Sequence, residues 1–430
     1  MKRIVLLFLA AAVFAKHEQY AGWSSYYVEP STPEQLKMLG ALVPAFDLDF
    51  LAHATIGREG VVLVKPQYQA GFLQTLEKEG ITYRVHVADV KGQLDFDDQV
   101  IETRKRVAAA KHKYSMPYDN YQTIDVIDRY LEDIANNHSD IVTLVSPNNS
   151  FEGHPIKYLK ISSSNFEDLS KPVIFIDGGI HAREWISPAS VTYAIHKLVE
   201  DLTEKDLVEN YDWVLLPIVN PDGYKYTFNK SRFWRKTRST DQDALGRLCP
   251  GVDGNRNYDF NWRTVGTSSN PCHDTFGGSR PFSEVETRVV KGILQEHLDR
   301  ITLYISMHSY GSMILYPWGH DGTVSPYEPD LKTVGNIMSD AIKKKALSYF
   351  PAYAVGNSLR VIGYGASGGS DDYAHSIGVP LSYTIELPGL QGGYQGFHLD
   401  PQYIAQVCEE TWGAIAAGAR KSAELFGKRK

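Results

Sequence analysis

Cysteine is scarce in this chain, with three among 430 residues. That is too few for a disulfide scaffold, and any pairing leaves one thiol over. Charge of one sign is not in excess either: 44 Lys and Arg stand against 51 Asp and Glu, a formal net charge of -7. Neutralising a nucleic-acid backbone takes clustered surplus Lys and Arg, so no nucleic-acid partner is expected. Beyond residue 14 no stretch approaches the ~18 to 20 apolar residues that a membrane-crossing helix needs, so no membrane anchor is expected. Internal repeats and low-complexity segments are also missing.

What is present begins with an export pattern. Lys2 and Arg3 precede an apolar run over residues 4–14, and Ala15 follows with Val13 two positions before it. This reads as a cleavable secretory signal over residues 1–15, which places the chain outside the cell. In that compartment Cys249 and Cys272, both in a loop region rich in Gly, Ser and Asn, are expected to pair. Cys408 sits in an amphipathic helical pattern near the C-terminus and reads as a buried free thiol. With 43% hydrophobic residues the chain can bury one large core and still build a smaller second unit.

Residues 26–87 alternate in the order strand, helix, strand, strand, helix, strand: 26–28, 33–39, 46–50, 61–64, 67–78 and 83–87. That order predicts a small ferredoxin-like α+β sandwich. Thr32 before Pro33 reads as an N-cap with a first-turn proline, and Gly40 and Gly80 as helix stops. Arg104, Lys105, Arg106, Lys111 and Lys113 then cluster ahead of Tyr114 and Tyr118, a basic linker at about 102–113 open to a trypsin-like protease. From 114 to 430 helical patterns alternate with short β-rich runs at 141–145, 156–161, 173–176, 213–219, 301–306 and 381–385. This predicts an α/β unit with a mixed sheet.

Three of these runs lead into residues able to bind or work with a metal. The run at 173–176 passes through Gly178 and Gly179 to His181 and Glu184, the run at 301–306 reaches His308, and the run at 381–385 reaches Glu386. Ligand sites of open α/β sheets gather at the carboxyl ends of strands. Two imidazoles and one carboxylate with a fourth position open suit a catalytic zinc ion, so His181, Glu184 and His308 form the candidate set. A single carboxylate leaves the ion positive enough to acidify water and polarise a carbonyl.

These residues resemble the M14 (funnelin) metallocarboxypeptidases of the A/B branch. The resemblance runs through His181-Ala-Arg-Glu-Trp185, Asn220-Pro-Asp-Gly223, Phe233-Trp-Arg-Lys-Thr-Arg238, Gly251-Val-Asp-Gly-Asn-Arg-Asn257, Met307-His-Ser-Tyr310, Tyr364-Gly-Ala-Ser-Gly-Gly369 and Thr384-Ile-Glu386, in family order. It implies a mixed eight-stranded twisted sheet flanked by helices over residues 114–430, one zinc ion per catalytic domain, and an inhibitory pro-domain over residues 16–113. It also implies a secreted monomer that acts on peptide or protein C-termini, with a digestive role.

The resemblance carries roles with it. Glu386 would serve as general base toward a zinc-activated water, Arg235 would stabilise the oxyanion, and Asp253 would orient the imidazole of His181. Asn255 and Arg256 would clamp the substrate carboxylate, with Arg183, Ser309, Tyr310, Tyr364 and Phe397 as further substrate contacts. Asp371 falls at the pocket floor, where a carboxylate predicts release of C-terminal Lys or Arg. Gly319 and Leu359 depart from that B-type pattern, and Leu359 would narrow the route for a long side chain. Asp372 reads as a helix-start carboxylate. The segment 387–397 runs longer than the family pattern. The competing readings are a preference for apolar C-terminal residues and a catalytically silent peptide-binding protein on the same fold.

Overall fold

Four strands of the large unit are buried on both faces, the pattern a parallel sheet imposes. They are β7 (Val173–Gly178), β8 (Asp212–Leu216), β9 (Ile301–Ser309) and β12 (Leu381–Leu387). This computed structural model describes residues 16–108, 116–389 and 396–427. The expected signal at 1–15, the basic residues Lys111 and Lys113 and most of the long stretch after Glu386 lie outside the described residues.

Around the parallel core, β5 (Val142–Asn149), β6 (Pro155–Ile161), β10 (Met313–Tyr316) and β11 (Ala354–Asn357) complete an eight-stranded mixed sheet in the order β11-β10-β12-β9-β7-β8-β6-β5. Six of the strands stand where the hydrophobic runs put them. The two four-residue strands β10 and β11 were not anticipated: they are too short to show a period and are held by pairing with β12 and with each other. The helices Ile186–His196, Glu328–Lys345 and Ile404–Phe426 cover one face over a core that includes Trp185, Trp213, Met338 and Trp412. The helices Val285–Glu296 and Ser370–Ser376 lie on the other side, where Phe175, Tyr258, Tyr304 and Val290 pack. Cys249 and Cys272 form a disulfide, and Cys408 is a buried free thiol.

The amino-terminal unit is an antiparallel four-stranded sheet in the order β2-β3-β1-β4, built from β1 (Ser24–Glu29), β2 (Asp49–Ala52), β3 (Gly60–Val64) and β4 (Thr82–Val87). Its helices Pro33–Phe46 and Gln69–Lys78 close a small core with Val28, Leu39, Val62 and Phe72. Thr32 caps the first helix as expected, its Oγ1 accepting from Gln35 N at 3.2 Å. Gly40 does not end that helix, which runs through Pro44 to Phe46 and stops at Asp47 with φ 48°. A glycine inside a helix costs only about 1 kcal/mol, less than burial of Leu42 two residues on returns. Residue 46 is therefore helical instead of opening a strand. Gly80, at φ 65°, does mark the end of the second helix.

The helix Val90–Ala108 leads from this unit toward the large one, so the first part of the basic cluster is helical. Arg104 donates to Asp119 O at 3.3 Å and lies 3.8 Å from Asp400, while Lys105 and Arg106 are exposed. The two units share an apolar seam in which Tyr20, Leu63, Val87 and Leu94 pack with Phe233 and Phe397.

Candidate active site

The strand after β7 in sequence, β8, lies on one side of it, and β9 on the other. This reversal of strand order opens a crevice at the carboxyl ends of β7 and β9. Gly179, at φ 68°, turns the chain out of β7, and a β-carbon there would meet Pro188 Cγ at 3.1 Å and Pro217 O at 3.2 Å. A glycine is needed for the turn to fit, and it delivers His181 and Glu184 to the crevice. His308 is the last residue but one of β9 and stands in register with Glu386 on the parallel neighbour β12.

His181, Glu184 and His308 are buried and converge. His181 Nδ1 lies 2.8 Å from Glu184 Oε1 and 3.1 Å from His308 Nδ1, which is 3.0 Å from Glu184 Oε2. Each far ring nitrogen has a partner of its own: His181 Nε2 meets Asp253 Oδ1 at 3.0 Å, and His308 Nε2 meets Ser306 Oγ at 3.2 Å. With protons on the Nε2 atoms, both Nδ1 lone pairs face each other and two carboxylate oxygens. That crowding of acceptors is repulsive unless a cation sits among them, and two imidazoles with one carboxylate fit zinc. Burial, then the charge of Arg235, lowers the pKa of His181 and keeps its inner nitrogen available. Burial alone would raise the Glu184 carboxyl; when no cation sits among them, proton-bearing imidazoles outweigh burial and lower its pKa, a role that passes to the ion when one is bound. A second His, Asp and Glu group, Glu152, His154 and Asp222, is already met by the chain's own cations, with Lys225 Nζ 2.9 Å from His154 Nε2 and Arg238 Nε 3.4 Å from Glu152.

Asp253 does more than orient one ring. Its Oδ1 meets His181 Nε2 and accepts from Asn255 N at 3.0 Å, while its Oδ2 takes Arg235 through Nε at 3.0 Å and a terminal nitrogen at 2.9 Å. Arg235 is thereby aimed at the crevice. Behind His308, Asp177 anchors the hydroxyls of Ser306 at 2.7 Å and Tyr304 at 2.6 Å, a support that the sequence reading missed. Ser309 presents its backbone N–H to Glu184 Oε2 at 3.1 Å, and its hydroxyl has no partner among the described residues.

Glu386 lies deep in the molecule although part of its surface stays accessible, and its pKa is pushed up to about 7, first by desolvation and then by Glu184; His308, Arg235 and Arg58 pull the other way. A carboxylate titrating near neutrality is suited to accept and return a proton.

Asn255, Arg256 and Asp371 meet around the turn at Gly368 and Gly369. Asn255 Oδ1 accepts from Ser370 N at 2.9 Å, Arg256 donates to Gly266 O at 2.9 Å and Asn255 O at 2.8 Å, and a β-carbon on Gly368 would lie 2.6 Å from Arg256 O. Asp371 is buried, takes a 3.5 Å contact from Ser358 Oγ, and forms no ion pair among the described residues. Burial, then Asp372, raises its pKa to about 7. Asp372 is in the first helical turn as expected, but its carboxylate is spent on Gly319 and His320. Leu359 packs toward Gly322, whose β-carbon would stand 3.2 Å from Leu359 Cδ2. Arg183 lies over the Phe397 ring at 4.4 Å, and Tyr310 packs edge-on to Phe397 at 5.1 Å.

Three residues over the crevice belong to the amino-terminal unit, and the sequence offered no sign of them. Asp49 accepts from Arg183 at 3.3 Å, the His53 ring stacks on Phe50 at 5.3 Å and stands 4.7 Å from Tyr364, and Arg58 donates to Ile362 O at 3.2 Å. His53 keeps exposed surface although it lies deep in the molecule. That depth, and then Arg235, Arg256, Arg183 and Arg58, push its pKa down to about 3, so the ring is neutral.

Residues 127–414 match the family model for zinc carboxypeptidases and residues 26–96 the one for the carboxypeptidase activation peptide. The chain is 61% identical over 429 residues to carboxypeptidase B of Helicoverpa zea, covering 100% of both chains. It is 32% identical to carboxypeptidase B of Bos taurus, over 96% of this chain and 97% of that one. Among solved structures, carboxypeptidase A from Helicoverpa armigera superposes with a TM-score of 0.90 at 41% identity, over 95% of this chain and 100% of that one.

Proposed function

Because this chain belongs to the zinc carboxypeptidase family and carries that family's activation peptide, we propose that it is a secreted, monomeric zymogen whose activated form releases C-terminal Lys or Arg. His181, Glu184 and His308 would hold the zinc ion, which when bound supplies Lewis acidity toward a carbonyl oxygen and toward water.

The remaining roles fall to the chain's own groups. Asn255 and Arg256 take the free carboxylate of the substrate, Arg256 through parallel N–H donors. Arg235, held by Asp253, meets the charge that develops on the carbonyl oxygen as water adds. Glu386 takes the proton from the attacking water. As the C–N bond breaks, Glu386 gives that proton to the leaving amine. Arg183, Ser309, Tyr310 and Phe397 line the approach, and Tyr364 closes over the bound end.

The observation that carries the basic preference is Asp371, a buried carboxylate with no cation of its own among the described residues. Such a group is costly until a substrate ammonium or guanidinium meets it. Likeness to a carboxypeptidase A structure supports the alternative of apolar preference, but an apolar side chain would leave Asp371 unpaired. Asp49, His53 and Arg58 block the approach in the zymogen, and we place the pro-domain at residues 16–113, the signal at 1–15 and the catalytic domain at 114–430. A trypsin-like protease would cut within about 102–113.

Trypsin-treated protein, given peptides that differ only in the last residue, should release Arg and Lys at least tenfold faster than Leu or Phe and lose activity to a chelator. Faster release of Leu or Phe would overturn the basic preference, and chelator-resistant release would overturn the metal's part.

A further inference from the structure

Asp371 and Asp372 are consecutive buried carboxylates in the first turn of the helix Ser370–Ser376. Side by side in a low-dielectric wall they repel, and burial and then Asp372 make ionisation of Asp371 harder. Their surroundings differ. Asp372 accepts from Gly319 N at 2.9 Å, from His320 N at 3.2 Å and from His320 Nδ1 at 3.3 Å. The other ring nitrogen, His320 Nε2, lies 3.4 Å from Asp321 Oδ2. The hydrogen bond to Asp372 and the nearby charges of Asp372 and Asp321 favour the protonated ring against burial, so His320 brings a positive charge to Asp372. Its ring is fixed edge-on to Phe260, with centroids 5.2 Å apart.

The same loop reaches the other carboxylate. A β-carbon on Gly319 would lie 3.3 Å from Ser358 Cβ, and Ser358 is the residue whose hydroxyl approaches Asp371. The backbone at Gly319 and His320 therefore joins the side of the pocket that holds Asp372 to the side that touches Asp371.

We propose that His320 is a positioning residue for basic C-terminal side chains: it ties Asp372 into the loop and offsets its charge, leaving Asp371 as the one carboxylate that meets the substrate's cation. This rests on the reading of Asp371 as the pocket floor. His320 touches neither the substrate nor the reacting atoms, so its effect belongs in KM.

The test compares trypsin-activated wild type, His320→Ala and His320→Gln on two peptides ending in Arg and Leu, with zinc content and melting temperature checked for each protein. For His320→Ala, KM on the Arg peptide should rise about tenfold with kcat within about twofold, while kcat/KM on the Leu peptide stays unchanged. His320→Gln, which can keep the hydrogen bond but not the charge, should fall between. An unchanged KM on the Arg peptide in the Ala variant overturns the inference, as does an equal loss on both peptides, which marks a merely structural role. If wild type itself prefers Leu, the pocket reading fails before any variant is measured, and this inference goes with it.

Discussion

Asp49 of the amino-terminal unit and Arg183 of the catalytic unit stand 3.3 Å apart, so that a carboxylate of the pro-segment occupies a guanidinium at the rim of the metal crevice. Arg183 keeps one acid of its own unit nearby, Asp274 at 3.5 Å. The contact with Asp49 is thus replaceable once the pro-segment has gone.

Removing the Asp49 carboxylate should loosen the cover without harming the enzyme beneath. The Asp49→Ala zymogen is expected to show latent activity about tenfold above wild type before trypsin, the factor that roughly 1.4 kcal/mol of charged hydrogen bonding represents. Activity after trypsin should be equal in the two proteins. Identical latent activities would mean that Asp49 contributes nothing to the block.

Asp253 holds His181 with one oxygen and Arg235 with the other. Asp253→Ala should weaken zinc binding by roughly 10- to 100-fold, because the ligand ring loses its orienting acceptor. Competition with a chromogenic chelator reads this directly. In zinc-saturated protein kcat should also fall, since Arg235 loses its anchor. Unchanged zinc affinity would refute the orienting role.

The ionised form of Glu386 is the base, and its pKa is raised to about 7, so activity should fall as pH falls through that pKa. Departure of Arg58 with the pro-segment removes a charge that pulls the pKa down, while a bound divalent cation supplies a stronger one. The acid limb of kcat/KM in the activated zinc enzyme should therefore lie below about 7 but above the ordinary carboxylate value. Glu386→Gln should lower kcat by about 10²- to 10⁴-fold with zinc content intact. Retained turnover in that variant would remove Glu386 from the mechanism.

The disulfide between Cys249 and Cys272 closes a loop of sequence separation 23. Lys236 donates to Pro271 O at 2.7 Å and joins that loop to the segment bearing Arg235. Replacing both cysteines with Ser should cost about 3 kcal/mol of stability, mainly by freeing the unfolded chain. Denaturant midpoints of the activated protein measure this, and a shift equivalent to less than about 0.5 kcal/mol would contradict it.

Local signals were legible where one residue type had one physical use. Gly178 and Gly179 after an apolar run announced a turn at a strand end, and His181, Glu184, His308 and Glu386 stood where three such runs stop. Thr32 and Pro33 announced a helix start, and Gly80 a helix end. Gly40 misled because tertiary burial of Leu42 outweighed a small local preference. The strands β10 and β11 were illegible because four residues carry no period, and pairing with a neighbour is what makes them strands. Asp372 had the look of a helix-start acid, and its distant partner 52 positions away in sequence, His320, was invisible in any local pattern.

By itself, the sequence determined the chemistry available: two imidazoles, four carboxylates and three guanidiniums at spacings that strand ends and glycine turns bring to one crevice, with a small sandwich ahead of them. Only the tertiary structure decided which of these groups share partners. That Asp253 serves both His181 and Arg235, that Asp49, His53 and Arg58 cover the crevice, and that His320 answers Asp372 all depend on contacts between distant segments. Such contacts follow from how whole layers pack, whereas spacing along the chain records only what neighbours within a strand or a helical turn can do.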